Sequence, residues 1–136
     1  MISVLQLIKN WCEKNNVSAE TAGERVSFSV DGTNGSFPAA LLALEEDRAL
    51  VCLYGVQTLV PKELRAEAAQ RLSDINLPIK LGAAFLNNEN GELSYRVTQL
   101  LPENDEEAAA LIERALLLSS STMDRLLQAL SRLCSQ

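Results

Sequence analysis

Residues 24–54 decide the fold, and they read ERVSFSVDGTNGSFPAALLALEEDRALVCLY. Apolar and polar side chains alternate through 24–30, which predicts a strand with one buried face and one wet face. The turn-forming run at 31–35 predicts a hairpin into a second strand at 37–44. A third strand at 49–54 is apolar on both faces, so we expect it to lie in the middle of the sheet.

The segments on either side of these strands are predicted to be mostly helical. Residues 2–14 place apolar side chains at helical spacing, and Ser3 suits the N-cap. Residues 17–19 are a candidate for one more short strand ahead of the first. Pro61 opens a second helix, because its missing N–H is not needed in a first helical turn, and this helix ends near Asn76.

The C-terminal half is predicted to add a hairpin and a helix. Strands at 80–87 and 93–100 flank Asn90-Gly91, a dipeptide typical of tight hairpin turns. Asn104 then caps the last helix, and Glu107 follows three residues later, as in a capping box.

The last helix contains a polar run of weak helix formers, Ser119-Ser120-Ser121-Thr122. Because such residues are also good N-caps, the pattern fits either one long helix or two helices broken at this run. We favour the long helix, since neither Gly nor Pro intervenes.

The predicted order is helix, three strands, helix, two strands, helix. Hairpins instead of helical crossovers join the strands, so the fold class is α+β, with a mainly antiparallel five-stranded sheet flanked by three helices. A length of 136 residues suits one domain that spans residues 1–136.

The composition argues against several classes of function. His is absent, which removes the commonest general acid/base and the usual metal ligand, and neither GxxxxGK[ST] nor GxGxxG occurs. A net charge of −6 without a cluster of Lys and Arg argues against nucleic-acid binding. No apolar run approaches the ~20 residues that cross a bilayer, and no targeting segment is readable. We therefore expect a cytoplasmic chain without membrane contact, catalytic residues, cofactor or metal.

The three cysteines favour structural roles over chemical ones. Cys52 lies in the most apolar strand and Cys12 on the first helix, so both are expected to be buried and inert. Cys134, near the C-terminus, is the candidate for an exposed thiol, but it has no basic neighbour. The absence of a CxxC motif and the odd number fit a reducing compartment.

Clustered carboxylates at 45–47, at 105–107 and at Glu89 with Glu92 raise the question of acid/base or calcium chemistry. They lie in predicted turns and at a helix start, where water or the helix dipole stabilises the charge. The loops at 31–35 and 87–92 also lack the spaced oxygen ligands of an EF-hand. We therefore expect solvated carboxylates and hairpin turns.

Short segments spread over residues 2–133 resemble the YbjN family of bacterial sensory-transduction regulators. They are Val26-Ser27-Phe28, Asn34-Gly35-Ser36-Phe37-Pro38, Val60-Pro61, 72–76, Lys80-Leu81-Gly82 and Gly91-Glu92-Leu93-Ser94-Tyr95-Arg96-Val97. The final helix departs from the family pattern after Asp124, where aromatic and Pro residues are expected.

This resemblance implies a fold like that of type III secretion chaperones, a twisted antiparallel sheet flanked by helices. Such chaperones are small, acidic and usually dimeric, and they bind segments of partner proteins. The family has no catalytic motif to carry over onto this chain.

The apolar residues of the last helix exceed what one buried stripe needs, since leucines occupy two of its sides. The surplus fits either a broad core helix or a surface that a partner or a second copy covers. Our preferred hypothesis is a non-enzymatic interaction domain that acts as a homodimer and binds a protein or peptide. The candidate contact residues are Leu64, Ala68, Leu72, Leu118, Met123 and Leu127.

An alternative hypothesis is a small-molecule sensor with a ligand cavity between sheet and helices. Trp11, Tyr54 and Tyr95 are the aromatic residues available to line such a cavity.

Overall fold

The computed structural model describes residues 1–135, which form three helices and one antiparallel sheet of six strands. The elements in chain order are α1 Val4–Lys14, β1 Glu20–Ala22, β2 Arg25–Gly32, β3 Gly35–Leu44, β4 Ala49–Gly55, α2 Arg65–Asn76, β5 Ala83–Leu86, β6 Leu93–Leu100 and α3 Asp105–Arg132. A single 3-10 turn, Lys62–Leu64, leads into α2. The strand order across the sheet is β1-β2-β3-β4-β6-β5.

The prediction of α+β topology with three helices is confirmed, but the prediction of five strands is wrong. The additional strand, β1, pairs with residues 25–27 of β2 and begins one residue after the predicted 17–19. Residues 16–19 instead form the loop that connects α1 to β1. Asn16 adopts a left-handed φ of 55°, and the Val17 N–H donates to the Cys12 carbonyl at 2.9 Å. The chain therefore reaches the edge of β2 only at Glu20.

The strand predicted at 80–87 is also shorter in the structure, where β5 has four residues. Gly82 has a φ of 75°, a left-handed conformation that interrupts extended backbone. The loop from β5 to β6 spans residues 87–92, whereas Asn90-Gly91 predicted a tight two-residue turn. In it the Val60 carbonyl passes so close to Gly91 that a Cβ there would clash.

The central position predicted for β4 is confirmed, because β3 and β6 pair with its two edges. Helices α1 and α3 pack on one face of the sheet, where Tyr54 of β4 stacks on Tyr95 of β6 with ring centroids 6.1 Å apart. Phe37 of β3 meets Tyr54 edge to face at 5.8 Å. The main core therefore lies between this face and the helices, as the burial of all three aromatic side chains shows.

The last helix is continuous over 28 residues, which confirms the favoured interpretation of its polar run. The hydroxyl of Thr122 donates to the Leu118 carbonyl at 2.8 Å, and that of Ser119 lies 3.4 Å from the Leu116 carbonyl. These contacts satisfy the hydroxyls within the helix, so the run does not break it. The predicted cap is present, since the Asn104 side chain accepts a hydrogen bond from the Glu107 N–H.

Candidate protein-binding surfaces

One face of the sheet has no helix packed on it among the described residues, and we call it the open face. The register places on it the side chains of Pro38, Ala40, Leu42, Leu44, Ala49, Val51, Leu53, Phe85 and Leu100. Leu44, Phe85 and Leu100 are 37%, 48% and 68% exposed. Leu44 and Leu100 lie at one end of the face and Phe85 toward the other, whereas Ala40, Ala49 and Val51 are shielded, with exposures of 6%, 1% and 3%. Large apolar side chains exposed on one face of a sheet make that face a candidate interaction surface.

The charged strand residues of the open face balance one another. Glu20 and Asp31 are acidic, and Arg25 and Arg96 are basic, as the strand pairing places them. The whole chain carries a net charge of −6. The charges on the strand residues of the open face therefore sum to zero on a molecule that is acidic overall, and Glu92, just before β6, adds one carboxylate at the end of this face.

A groove of about 740 Å³ crosses one end of the open face. Small side chains form its floor, namely Ser27, Ala40 and Ser94, together with Leu53. Leu59, 52% exposed, lines it from the loop after β4. Its volume is large enough to hold several side chains from another molecule.

A second concave site lies on the other side of the sheet, and we call it the helix-side cleft. It has a volume of about 460 Å³ and separates the end of α1, strand β2 and the middle of α3. Its apolar lining consists of Trp11, Val17, Phe28, Val30, Leu116 and Leu117. A shallower groove of about 520 Å³ shares Val30, Leu117 and Ser120 with it and continues toward the β2–β3 hairpin.

The aromatic residues predicted to line a ligand cavity are placed unequally. Trp11 and Tyr54 both line the helix-side cleft, and the Trp11 ring lies 6.1 Å from that of Phe28. Tyr95 is fully buried, and its hydroxyl donates to the Leu81 carbonyl. Tyr95 is therefore part of the core instead of the cleft lining.

The six candidate contact residues do not form one surface. Leu64, Ala68 and Leu72 are on or next to α2, beside β5, whereas Leu118, Met123 and Leu127 are on α3. The side chains of Ala68, Leu72, Met123 and Leu127 are buried in the core, Leu64 is half-buried, and Leu118 is 47% exposed. Only Leu118 and part of Leu64 are thus accessible to a partner in this fold.

Buried polar side chains meet where β4 crosses α3. The Tyr54 hydroxyl and Ser119 Oγ lie 2.6 Å apart, and both residues are inaccessible to solvent. Burial raises the pKa of the neighbouring Cys52 thiol to about 12, against smaller opposing effects of hydrogen bonds from Ser119 and Tyr54. At neutral pH this thiol is protonated, and it lacks the thiolate that nucleophilic chemistry requires.

The other two thiols are buried as well. Cys12 is 6% exposed, which agrees with its predicted burial. Cys134, the candidate for an exposed thiol, is 8% exposed, and its Sγ donates to the Thr58 carbonyl at 3.3 Å. That expectation was wrong because the end of α3 packs against the loop after β4. Burial raises the pKa of both thiols.

Two carboxylates expected to be only solvated hold the N-terminal segment. Glu45 accepts hydrogen bonds from the Val4 and Leu5 N–H groups, so it caps α1 from the turn before β4. Asp105 accepts from the Ile2 N–H, and this bond, with Arg48 beside it, holds the pKa of Asp105 below its usual value. Within residues 1–135 no three His, Cys, Asp or Glu side chains are grouped to hold a metal ion.

No helix within residues 1–135 has the length and apolar character needed to span a membrane.

Comparisons with known proteins agree with this architecture. The family model YbjN, described as "Putative bacterial sensory transduction regulator", matches residues 5–132. The crystal structure of YbjN, "a putative transcription regulator from E. coli", is similar in fold, with a TM-score of 0.66, 16% identity, and coverage of 94% of this chain and 90% of that one.

The structure of the ExsC–ExsE complex is more distant, with a TM-score of 0.49, 13% identity, and coverage of 93% of this chain and 97% of that one. No curated protein matches the sequence. Because the family model covers nearly the whole length, the chain belongs to the YbjN family.

Proposed function

We propose that this chain is a non-enzymatic, cytoplasmic protein-binding domain with a regulatory role, and that it acts as a homodimer. The observation that carries the proposal is the open face of the sheet, where Leu44 and Leu100 are exposed on either side of Ala49 and Phe85 is exposed toward the other end of the face. Exposed apolar surface in water costs free energy of about 25 cal/mol per Å², which a second protein recovers by covering it. The family description as a regulator supports the same class of function.

A second copy of the chain is the occupant that we propose for the open face. Two sheets pack face to face about 10 Å apart through interdigitating apolar side chains, as in β-sandwiches. The balanced charges of this face allow two copies to meet there, whereas the acidic remainder of the surface repels a second copy. A two-fold axis through the face would also bring the same residues of both copies together.

Sedimentation equilibrium of the wild type and two variants tests the proposal. Leu100→Asp buries a charge in the interface if the open face is covered, so the variant is expected to be monomeric while the wild type is dimeric. Leu77→Asp is the matched control, because Leu77 is 85% exposed just after α2 and lies outside the open face. A monomeric wild type, or a Leu100→Asp variant that dimerises like the wild type, contradicts the proposal.

The helix-side cleft supports the second candidate function, a small-molecule sensor. Its volume of about 460 Å³ and mostly apolar lining resemble those of ligand pockets. Thermal-shift screening with a metabolite library distinguishes the two functions. A small-molecule sensor is stabilised in proportion to the logarithm of ligand concentration, whereas a protein-binding domain shows no response.

A further inference from the structure

The outer edge of β2 is only partly covered. β1 pairs with residues 25–27 and reaches no further, so among the described residues no strand lies beside 28–32. Residues 16–18, which lead into β1, border the cleft next to this edge but make no backbone hydrogen bond to it. The Glu24 carbonyl accepts a hydrogen bond from the Ala43 N–H, which shows that even-numbered positions here bond to β3. The alternation of an antiparallel ladder then turns the N–H and C=O groups of Ser29 and Asp31 outward.

The opposite edge of the sheet is covered at Ala84. There the side-chain amide of Asn76 donates to the Ala84 carbonyl at 3.0 Å and accepts from the Ala84 N–H at 2.7 Å. One side chain therefore satisfies both outward groups of Ala84 and blocks the addition of a strand. The two edges of this sheet differ, because the outward groups of Ser29 and Asp31 have no hydrogen-bond partner among the described residues, whereas those of Ala84 are bonded to Asn76.

The free edge of β2 borders the helix-side cleft. Phe28 and Val30 point toward the helices and line the cleft, and Leu117 of α3, 64% exposed, faces them across it. An extended chain laid along Ser29 and Asp31 would send alternate side chains into this apolar space.

The charged residues around this edge indicate which side chains an incoming strand would carry at the positions that point away from the cleft. No Lys or Arg lines the cleft or its continuation, whereas Asp31 and Asp124 do. The Asp31 carboxylate accepts from Ser36 Oγ at 2.7 Å, on the open-face side of the strand. Residues of an incoming strand that point to that side would meet Asp31, so Lys or Arg there would be favoured.

We propose that an extended segment of a partner protein adds to the sheet as a strand beside Ser29 and Asp31. Its apolar side chains at alternate positions occupy the helix-side cleft, and basic side chains lie between them on the open-face side. Main-chain hydrogen bonds supply affinity and the cleft supplies specificity, as in other cases of strand addition. The inference rests on the proposed protein-binding function and names the partner's chemistry.

A second copy of the chain does not fit this edge. Symmetric antiparallel pairing with Asp31 opposite Asp31 would set two carboxylates against each other, which is unfavourable. Pairing with Ser29 opposite Asp31 would place Thr33 of one copy opposite Ser27 of the other. That position is already held by Glu20 of β1. The edge therefore suits a free extended segment, whereas the open face suits the second copy.

Nuclear magnetic resonance titration of the isotope-labelled full chain tests the inference. The probes are synthetic heptapeptides with valine or leucine at alternate positions and lysine between them. Glutamate-for-lysine versions test the charge requirement, and versions N-methylated on the backbone remove the pairing hydrogen bonds. The protein variants are Leu117→Asp, at an exposed position of the cleft, and Leu77→Asp as the control.

The expected result is a shift of the Ser29 and Asp31 amide signals on addition of the lysine peptides. Leu117→Asp and N-methylation are each expected to weaken binding about tenfold or more, which is the effect of losing roughly 1.4 kcal/mol. Binding that is insensitive to both changes, shifts confined to the open face, or no binding of any peptide overturns strand addition. Dimerisation is measured separately by sedimentation. A negative result in the peptide titration therefore contradicts strand addition without contradicting the proposed function.

Discussion

The Tyr54 hydroxyl and Ser119 Oγ lie 2.6 Å apart in the interior and connect the central strand to the middle of the last helix. The two residues are 65 positions apart in the sequence. Both are inaccessible to solvent, so neither hydroxyl has water as an alternative partner. This contact gives the serine in the polar run of α3 a structural role that no local pattern indicates.

Replacing one of these hydroxyls is expected to destabilise the fold. Ser119→Ala leaves the Tyr54 hydroxyl buried without this partner, which costs about 1–3 kcal/mol in the free energy of unfolding. Urea denaturation of Ser119→Ala, Tyr54→Phe and the double variant measures the effect. We expect the double variant to lose less stability than the two single variants added together, and strict additivity would show that the hydroxyls do not interact.

Alkaline pH is expected to destabilise the protein through Cys52. Burial raises the thiol pKa to about 12 in the folded chain from its ordinary value of 9.0, so below pH 9.0 the thiol is protonated in both states and its contribution to stability is fully present. As pH rises from 9.0 toward 12, the unfolded thiol releases a proton that the folded one retains, and stability falls.

Chemical denaturation across that pH window, with wild type and Cys52→Ala side by side, measures this linkage. The wild type is expected to lose stability more steeply, by up to about 1.4 kcal/mol per pH unit. Parallel curves for the two proteins would mean that Cys52 ionises normally in the folded state.

Truncation of their side chains to alanine is expected to separate the candidate contact residues into two classes by the loss of stability. Met123 is fully buried, so Met123→Ala should cost about 2–5 kcal/mol in unfolding free energy. Leu118 is 47% exposed, so Leu118→Ala should change stability by no more than about 0.5 kcal/mol. Thermal unfolding of the two variants gives the comparison, and a destabilised Leu118→Ala would place that side chain in the core.

Local patterns were sufficient for much of the fold. Clear alternation in 24–30 and the double-sided apolar strand at 49–54 correspond to β2 and β4. The boundaries of β1 and β5 depend instead on tertiary contacts, such as the left-handed Asn16 at the exit of α1 and the bonds of Asn76 to Ala84. Contacts of this kind have no signature in a short window of sequence.

The candidate surface was harder to predict than the fold. Helical spacing identifies two apolar sides of α3, but it does not show that Met123 and Leu127 are buried in the folded chain. The open face belongs to strands whose apolar residues alternate or run continuously. A continuous apolar run predicts that both faces of a strand are buried, so it does not identify an exposed face. Leu100 and Phe85 are exposed because no helix follows to cover them.

The most direct test of the account is methyl nuclear magnetic resonance spectroscopy of the wild-type chain over a dilution series. If a second copy covers the open face, the methyl signals of Leu44, Leu53 and Leu100 shift as the dimer dissociates, while those of Leu77 and Leu118 stay constant. Constant signals on the open face, or shifts confined to Leu77 and Leu118, would contradict the assignment of this face as the binding surface.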